Sequence, residues 1–96
     1  MLAALAEAPH RHEVAVQVRG TLDEVRPLLP PSVAVVEDTP DDSWVRVRIR
    51  AERLDWIPAL LVGIGRRFVV EHPEELRVLV RELGNRLLEA AGRPTA

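Results

Sequence analysis

Arg46, Arg48 and Arg50 alternate with Val45, Val47 and Ile49 along the run Trp44 to Arg50. In an extended chain successive side chains point to opposite faces. The three guanidinium groups therefore share one side of a strand, and three β-branched residues share the other. Arg19 ends a second alternating run, Glu13 to Arg19, whose apolar side is Val14, Val16 and Val18. Placed beside the first run, it adds a fourth guanidinium to the same face. Crowded like charges cost energy unless an anion or an acidic partner compensates. Guanidinium groups suit phosphates because they bind them through two parallel hydrogen bonds. Arg19, Arg46, Arg48 and Arg50 are thus the candidate contacts for a nucleic-acid backbone, a nucleotide or an acidic surface of an adjacent domain. The alternative is a solvated outer face diluted by Glu13 and Gln17. That face offers at most Trp44 for base stacking, so a nucleic-acid contact there would be to the backbone and not base-specific.

Other residue groups carry less chemistry. Gly63-Ile64-Gly65-Arg66-Arg67 has the composition of a phosphate loop but the wrong polarity. A phosphate loop leads into a helix N-terminus, whereas these glycines close a helix and lead into a strand, so they read as a C-cap. His10 and His12 could reach one metal with Glu13 or His72 as a third ligand, but two histidines near a chain end are a poor metal signal and no metal is expected. There is no cysteine, which removes a thiolate metal site and a cysteine nucleophile. Thr21 reads as a helix cap. Ser32, Thr39, Ser43 and Thr95 fall in turns or in the tail, and none has a histidine partner. Asp41-Asp42 reads as turn chemistry and Glu74-Glu75 as a helix start. We expect no catalytic residues, no cofactor and no enzymatic activity.

These residues sit in a chain of 96, one domain's worth. Thirteen basic residues stand against fifteen acidic ones, a net charge of −2 that does not announce a nucleic-acid binder. No apolar run approaches the roughly 20 residues that span a bilayer. Residues 1–9 lack a basic start and read as a linker, 10–91 as the domain, and 92–96 as a disordered tail.

The element order follows from periodicity. Glu13 to Arg19 is a strand. Thr21-Leu22-Asp23-Glu24 is a capping box opening a helix with Leu22, Val25, Leu28 and Leu29 as its apolar stripe, made short or bent by Pro27. Val33 to Val36 and Trp44 to Arg50 form a hairpin across Thr39 to Ser43. A second helix runs from about Leu54 to Ile64, with Trp56, Ile57, Leu60, Leu61 and Ile64 on its stripe, Asp55 as cap and Gly63 and Gly65 at its end. Arg67 to Glu71 is a fourth strand with Phe68 and Val70 inward. Pro73 opens a long helix to about Ala91, with Leu76, Leu79, Val80, Leu83 and Leu87 as core stripe and Glu82–Arg86 as an i,i+4 pair. Val78 and Leu88 lie off that stripe and mark an oligomer or domain interface. The fold class is α+β: a ferredoxin-like β-α-β-β-α-β sandwich with an additional C-terminal helix.

Several runs also resemble a known family. Leu54 to Gly65 resembles the LDW…LLGLG helix of the WYL C-terminal extension (WCX) domain, and Phe68 to Arg77 resembles its entry to the last helix. His12 to Arg19 and Trp44 to Ile49 are similar to other parts of the same domain. The resemblance implies a bacterial, cytoplasmic transcription regulator built from a winged helix-turn-helix, a central WYL barrel and this domain. It implies a regulatory, effector-response and dimerisation module that does not act on a membrane. Its implied partners are the WYL domain of the parent chain or of a second subunit, in a full-length homodimer, with single-stranded nucleic acid or nucleotides as effectors. The chain has no tyrosine, hence no W-Y-L signature, and no room for a helix-turn-helix before residue 10. It is expected to be a fragment or stand-alone relative that does not bind promoter DNA by itself. The alternatives are a stand-alone ferredoxin-like small-ligand sensor and a structural interaction domain without a ligand.

Overall fold

Alternation places one buried face on each of two long strands, and those strands pair at the centre of the sheet. The structure, a computed structural model, describes residues 12–92. The strands are β1 (His12–Arg19), β2 (Ala34–Asp38), β3 (Trp44–Ala51) and β4 (Phe68–His72). Their order across the sheet is β2-β3-β1-β4, and every neighbouring pair is antiparallel. In the central pair Val14 faces Ile49, Val16 faces Val47 and Val18 faces Val45. All six are at most 2% exposed. Burial of this seam, at about 1.5–3 kcal/mol per large aliphatic side chain, is the main local driving force.

Helices cover the apolar face. The helix α1 (Leu22–Val25) starts with the expected reciprocal capping box: Thr21 Oγ1 accepts from the Glu24 N–H at 3.2 Å, and Glu24 Oε1 accepts from the Thr21 N–H at 3.0 Å. After one turn the chain tightens into a 3-10 turn, Arg26–Leu28, which contains Pro27. Proline cannot supply the N–H that would continue an α-helix. The change of period turns Leu28 outward, whereas Val25 and Leu29 stay buried. The turn between β2 and β3 uses short polar side chains, with Asp41 Oδ1 accepting from the Ser43 N–H at 2.9 Å.

The helix α2 (Ile57–Ile64) starts later than the pattern predicts. Trp56 occupies the N-cap position and is 40% exposed, so it is not part of the buried stripe. Asp55 makes no cap and instead pairs with Arg53. Pro58 sits in the first turn, where its missing N–H is harmless. Ile57, Leu61 and Ile64 are buried. Only Gly65 takes the left-handed cap conformation, at φ 79°; Gly63 lies within the helix.

The helix α3 (Glu74–Ala91) begins after Pro73, which serves as N-cap in extended conformation rather than as the first helical residue. Eighteen residues make a rod about 27 Å long. Its expected core stripe is buried only at the start. Leu76 is fully buried, and Leu79, Val80 and Leu83 are half-buried. Leu87 is 49% exposed. The described ion pair of α3 is Glu74–Arg77, at 3.5 Å, not Glu82–Arg86.

The four-stranded antiparallel sheet and the additional C-terminal helix give the expected α+β architecture. Among the described residues no helix is long and apolar enough to cross a membrane. The expected linker, 1–9, lies outside the described residues. So does the expected tail apart from Gly92, whose N–H donates to the Glu89 carbonyl at the end of α3.

Leu61→Ala should destabilise the domain by about 2–5 kcal/mol, because Leu61 is fully buried between α2 and the sheet. Leu88→Ala, at a position 73% exposed, should change stability by less than about 0.5 kcal/mol. Urea denaturation of the two variants checks the contrast.

Candidate contact face

The face opposite the helices is laid out by register. Across β1 and β3, Arg19 lies opposite Trp44, Gln17 opposite Arg46, Ala15 opposite Arg48 and Glu13 opposite Arg50. On the outer strands Glu37 faces Arg46, Val35 faces Arg48 and Val69 faces Gln17. All four candidate arginines therefore share one side of the sheet, as alternation requires.

They do not share one environment. Between β1 and β4 the pairing shifts: Val16 faces Val70, but Ala15 faces His72. Glu71 is the extra residue of this bulge, a feature that re-aims a side chain. Its carboxylate reaches across the face. Oε1 accepts from Arg46 Nε at 2.8 Å, and Oε2 accepts from Arg46 Nη2 at 3.1 Å and from Gln17 Nε2 at 2.8 Å. Three strands are tied by one carboxylate, with a bidentate fork at its centre. The hydrogen bonds from Arg46, then that from Gln17, lower the Glu71 carboxyl to about 2. Hydrogen bonding to Glu71 raises Arg46 in turn. The charge of Arg46 is thus compensated from within the fold.

Arg48 has a looser partner, Glu37, at 3.8 Å between two well-exposed side chains. Such a pair contributes little and is readily exchanged. Arg50 makes no ion pair among the described residues, although Glu13 lies opposite it in register. Both arginines line a cleft of about 570 Å³ where β2 begins, together with Glu13, Ser32, Glu37 and His72. The His72 ring Nδ1 lies 3.1 Å from the Glu13 carbonyl oxygen. Ala15 lies between these groups and is only 3% exposed, although it belongs to the polar face.

Arg19 stands at the other end of the face, about 20 Å from Arg50 by strand rise. Its neighbours are Arg66 and Arg67, and the three line a separate cleft. The sheet therefore divides the four arginines: Arg46 is held by Glu71, Arg48 and Arg50 share a cleft, and Arg19 joins a different set. Sequence reasoning missed Glu71, because a bulge carries no periodic signal. It noticed Arg66 and Arg67 only as the end of a glycine run. Trp44 is half-buried at the Arg19 end of the face.

His10 and Thr95 lie outside the described residues, and no group of three metal-ligating side chains occurs among those described. Val78 is 40% exposed on α3 and Leu88 is 73% exposed near its end, so both expected interface residues lie on the surface.

A family model described as the WCX domain matches residues 10–88. No curated protein and no solved structure matches the chain.

Glu71 has a folded pKa below its unperturbed value of 4.5, so its network contributes stability above pH 4.5 and loses it as pH falls toward 2. Glu71→Gln should lower stability at pH 7 by about 1 kcal/mol, a size typical of a partly exposed pair. It should also flatten the stability profile between pH 4.5 and 2. Urea titrations at a series of pH values measure both effects; parallel profiles for the two proteins would remove the network from the stability account.

Proposed function

The chain belongs to the WCX domain family, accessory domains of WYL-type regulators, and we propose that it serves such a regulator as a non-catalytic docking and dimerisation module. The observation that carries this reading is the overhang of α3. Leu76 and Leu87 lie on one stripe, about three turns apart. The first is fully buried and the second is 49% exposed, because the described chain offers nothing beneath the end of the helix. Beside it Leu88 is 73% exposed. A core stripe that outruns its own core is an apolar surface for another chain. A second subunit of the parent regulator supplies that chain, and the polar side of the sheet is left for the WYL barrel. Sedimentation equilibrium of the 96-residue chain is expected to show a concentration-dependent dimer, and Leu87→Arg with Leu88→Arg is expected to be monomeric. A wild-type chain that stays monomeric at high micromolar concentration rejects the dimer.

A second reading concerns the effector, and Arg50 favours it. This guanidinium has no ion pair among the described residues, and its neighbour Arg48 has only a distant one. The backbone of single-stranded nucleic acid fits such a pair. Arg48→Ala with Arg50→Ala should weaken binding of short single-stranded DNA by roughly tenfold at low salt. It should also reduce the salt slope by about two. Indistinguishable titration curves reject this reading.

A further inference from the structure

Gly65 ends α2 in a left-handed conformation and sends Arg66 and Arg67 toward the end of β1. There the backbone pins the arginines together. The Arg19 N–H donates to the Arg67 carbonyl at 2.9 Å, and Arg66 Nη1 donates to the Arg19 carbonyl at 3.4 Å. The three side chains alone line a shallow cleft of about 340 Å³.

The position of Arg66 is built. Its Nη1 lies 3.6 Å from Glu24 Oε1, the same oxygen that accepts the Thr21 N–H in the capping box of α1. It also needs Gly20. A Cβ at position 20 would stand 3.0 Å from Arg66 Nη1 and 3.1 Å from Val25 Cγ2, and the backbone there has φ 142°. Glycine thus leaves the space in which this guanidinium lies. Around the cleft the charged groups are Arg19 from β1, Glu24 from α1, and Arg66 and Arg67 from the turn between α2 and β4. Glu24 is lowered by the Thr21 backbone hydrogen bond and by Arg66, so it is ionised at neutral pH. Three guanidinium groups against one carboxylate leave a local charge of about +2.

We propose that Arg19, Arg66 and Arg67 form a seat for a phosphate monoester dianion. The charge matches that of the ligand, and the guanidinium forks match its oxygens. The repulsion among the three arginines is already borne by the fold, so a dianion relieves it on arrival. A phosphodiester, with one charge and two esterified oxygens, satisfies the seat less well. This site is separate from the Arg48–Arg50 cleft, and it does not depend on the family assignment.

The test is calorimetric titration of the whole 96-residue chain at low salt with a 5′-mononucleotide, with inorganic phosphate, and with a short oligothymidylate with and without a 5′-phosphate. The mononucleotide and inorganic phosphate are expected to bind saturably in the millimolar range or tighter. The 5′-phosphorylated oligonucleotide is expected to bind more tightly than its unphosphorylated counterpart. Mononucleotide affinity should rise between pH 5 and 7.5, as the ester passes its second pKa near 6. Arg67→Ala and Arg19→Ala, both at exposed positions, should each weaken mononucleotide binding tenfold or more, and Arg48→Ala with Arg50→Ala should leave it unchanged. The proposal is overturned by absence of saturable binding, by equal binding of the two oligonucleotides, or by loss of binding in the Arg48/Arg50 variant with retention in Arg67→Ala.

Discussion

The seam between β1 and β3 constrains most of what this domain presents to its surroundings. Three pairs of β-branched residues, Val14–Ile49, Val16–Val47 and Val18–Val45, lock the register of the two central strands. Side chains alternate with a strict period of two, so a slip by one residue would bury the arginines of β3 and expose its valines. The cost of burying unpaired guanidinium groups forbids that slip. Positions on the polar side are therefore dictated from the apolar side. Gln17 meets Arg46, Ala15 meets Arg48 and Glu13 meets Arg50 because their inward neighbours interlock.

Upon this fixed lattice the bulge in β4 makes the decisive local choice. One residue more than the ladder requires delivers a carboxylate to the centre of the face, where it engages Arg46 and Gln17 together. The result is a face of uneven character. Its middle is internally satisfied and stiffened across three strands. Its two ends keep guanidinium groups whose charge is poorly matched by the fold, Arg50 at one and Arg19 with Arg67 at the other. Contacts with anions or acidic surfaces thus concentrate at the ends rather than along a continuous stripe.

Legibility in the sequence tracked periodicity. The alternating runs around Val16 and Val47 located the central strands and the sidedness of all four arginines. The Thr21–Glu24 capping box was readable because its chemistry is confined to four residues. The start of α2 was less legible. Trp56 and Asp55 fit a helical pattern and a cap pattern, yet the chain turns into the helix only at Ile57, and Asp55 is taken by Arg53. Leu87 sat on the correct stripe of α3 with no core below it, a fact about the extent of the body that no helical wheel contains. Glu71 and the meeting of Arg19 with Arg66 and Arg67 arise from contacts between distant segments, which local pattern does not encode.

Glu24 has one further consequence. A single carboxylate closes the first turn of α1 and steadies a guanidinium delivered from the other end of the domain. Two otherwise remote segments are thereby thermodynamically linked. Unravelling of that turn releases Arg66, and whatever draws Arg66 away withdraws support from the turn, by the same free energy in either direction. Occupancy at the sheet's edge and the integrity of a helix start become readouts of one another.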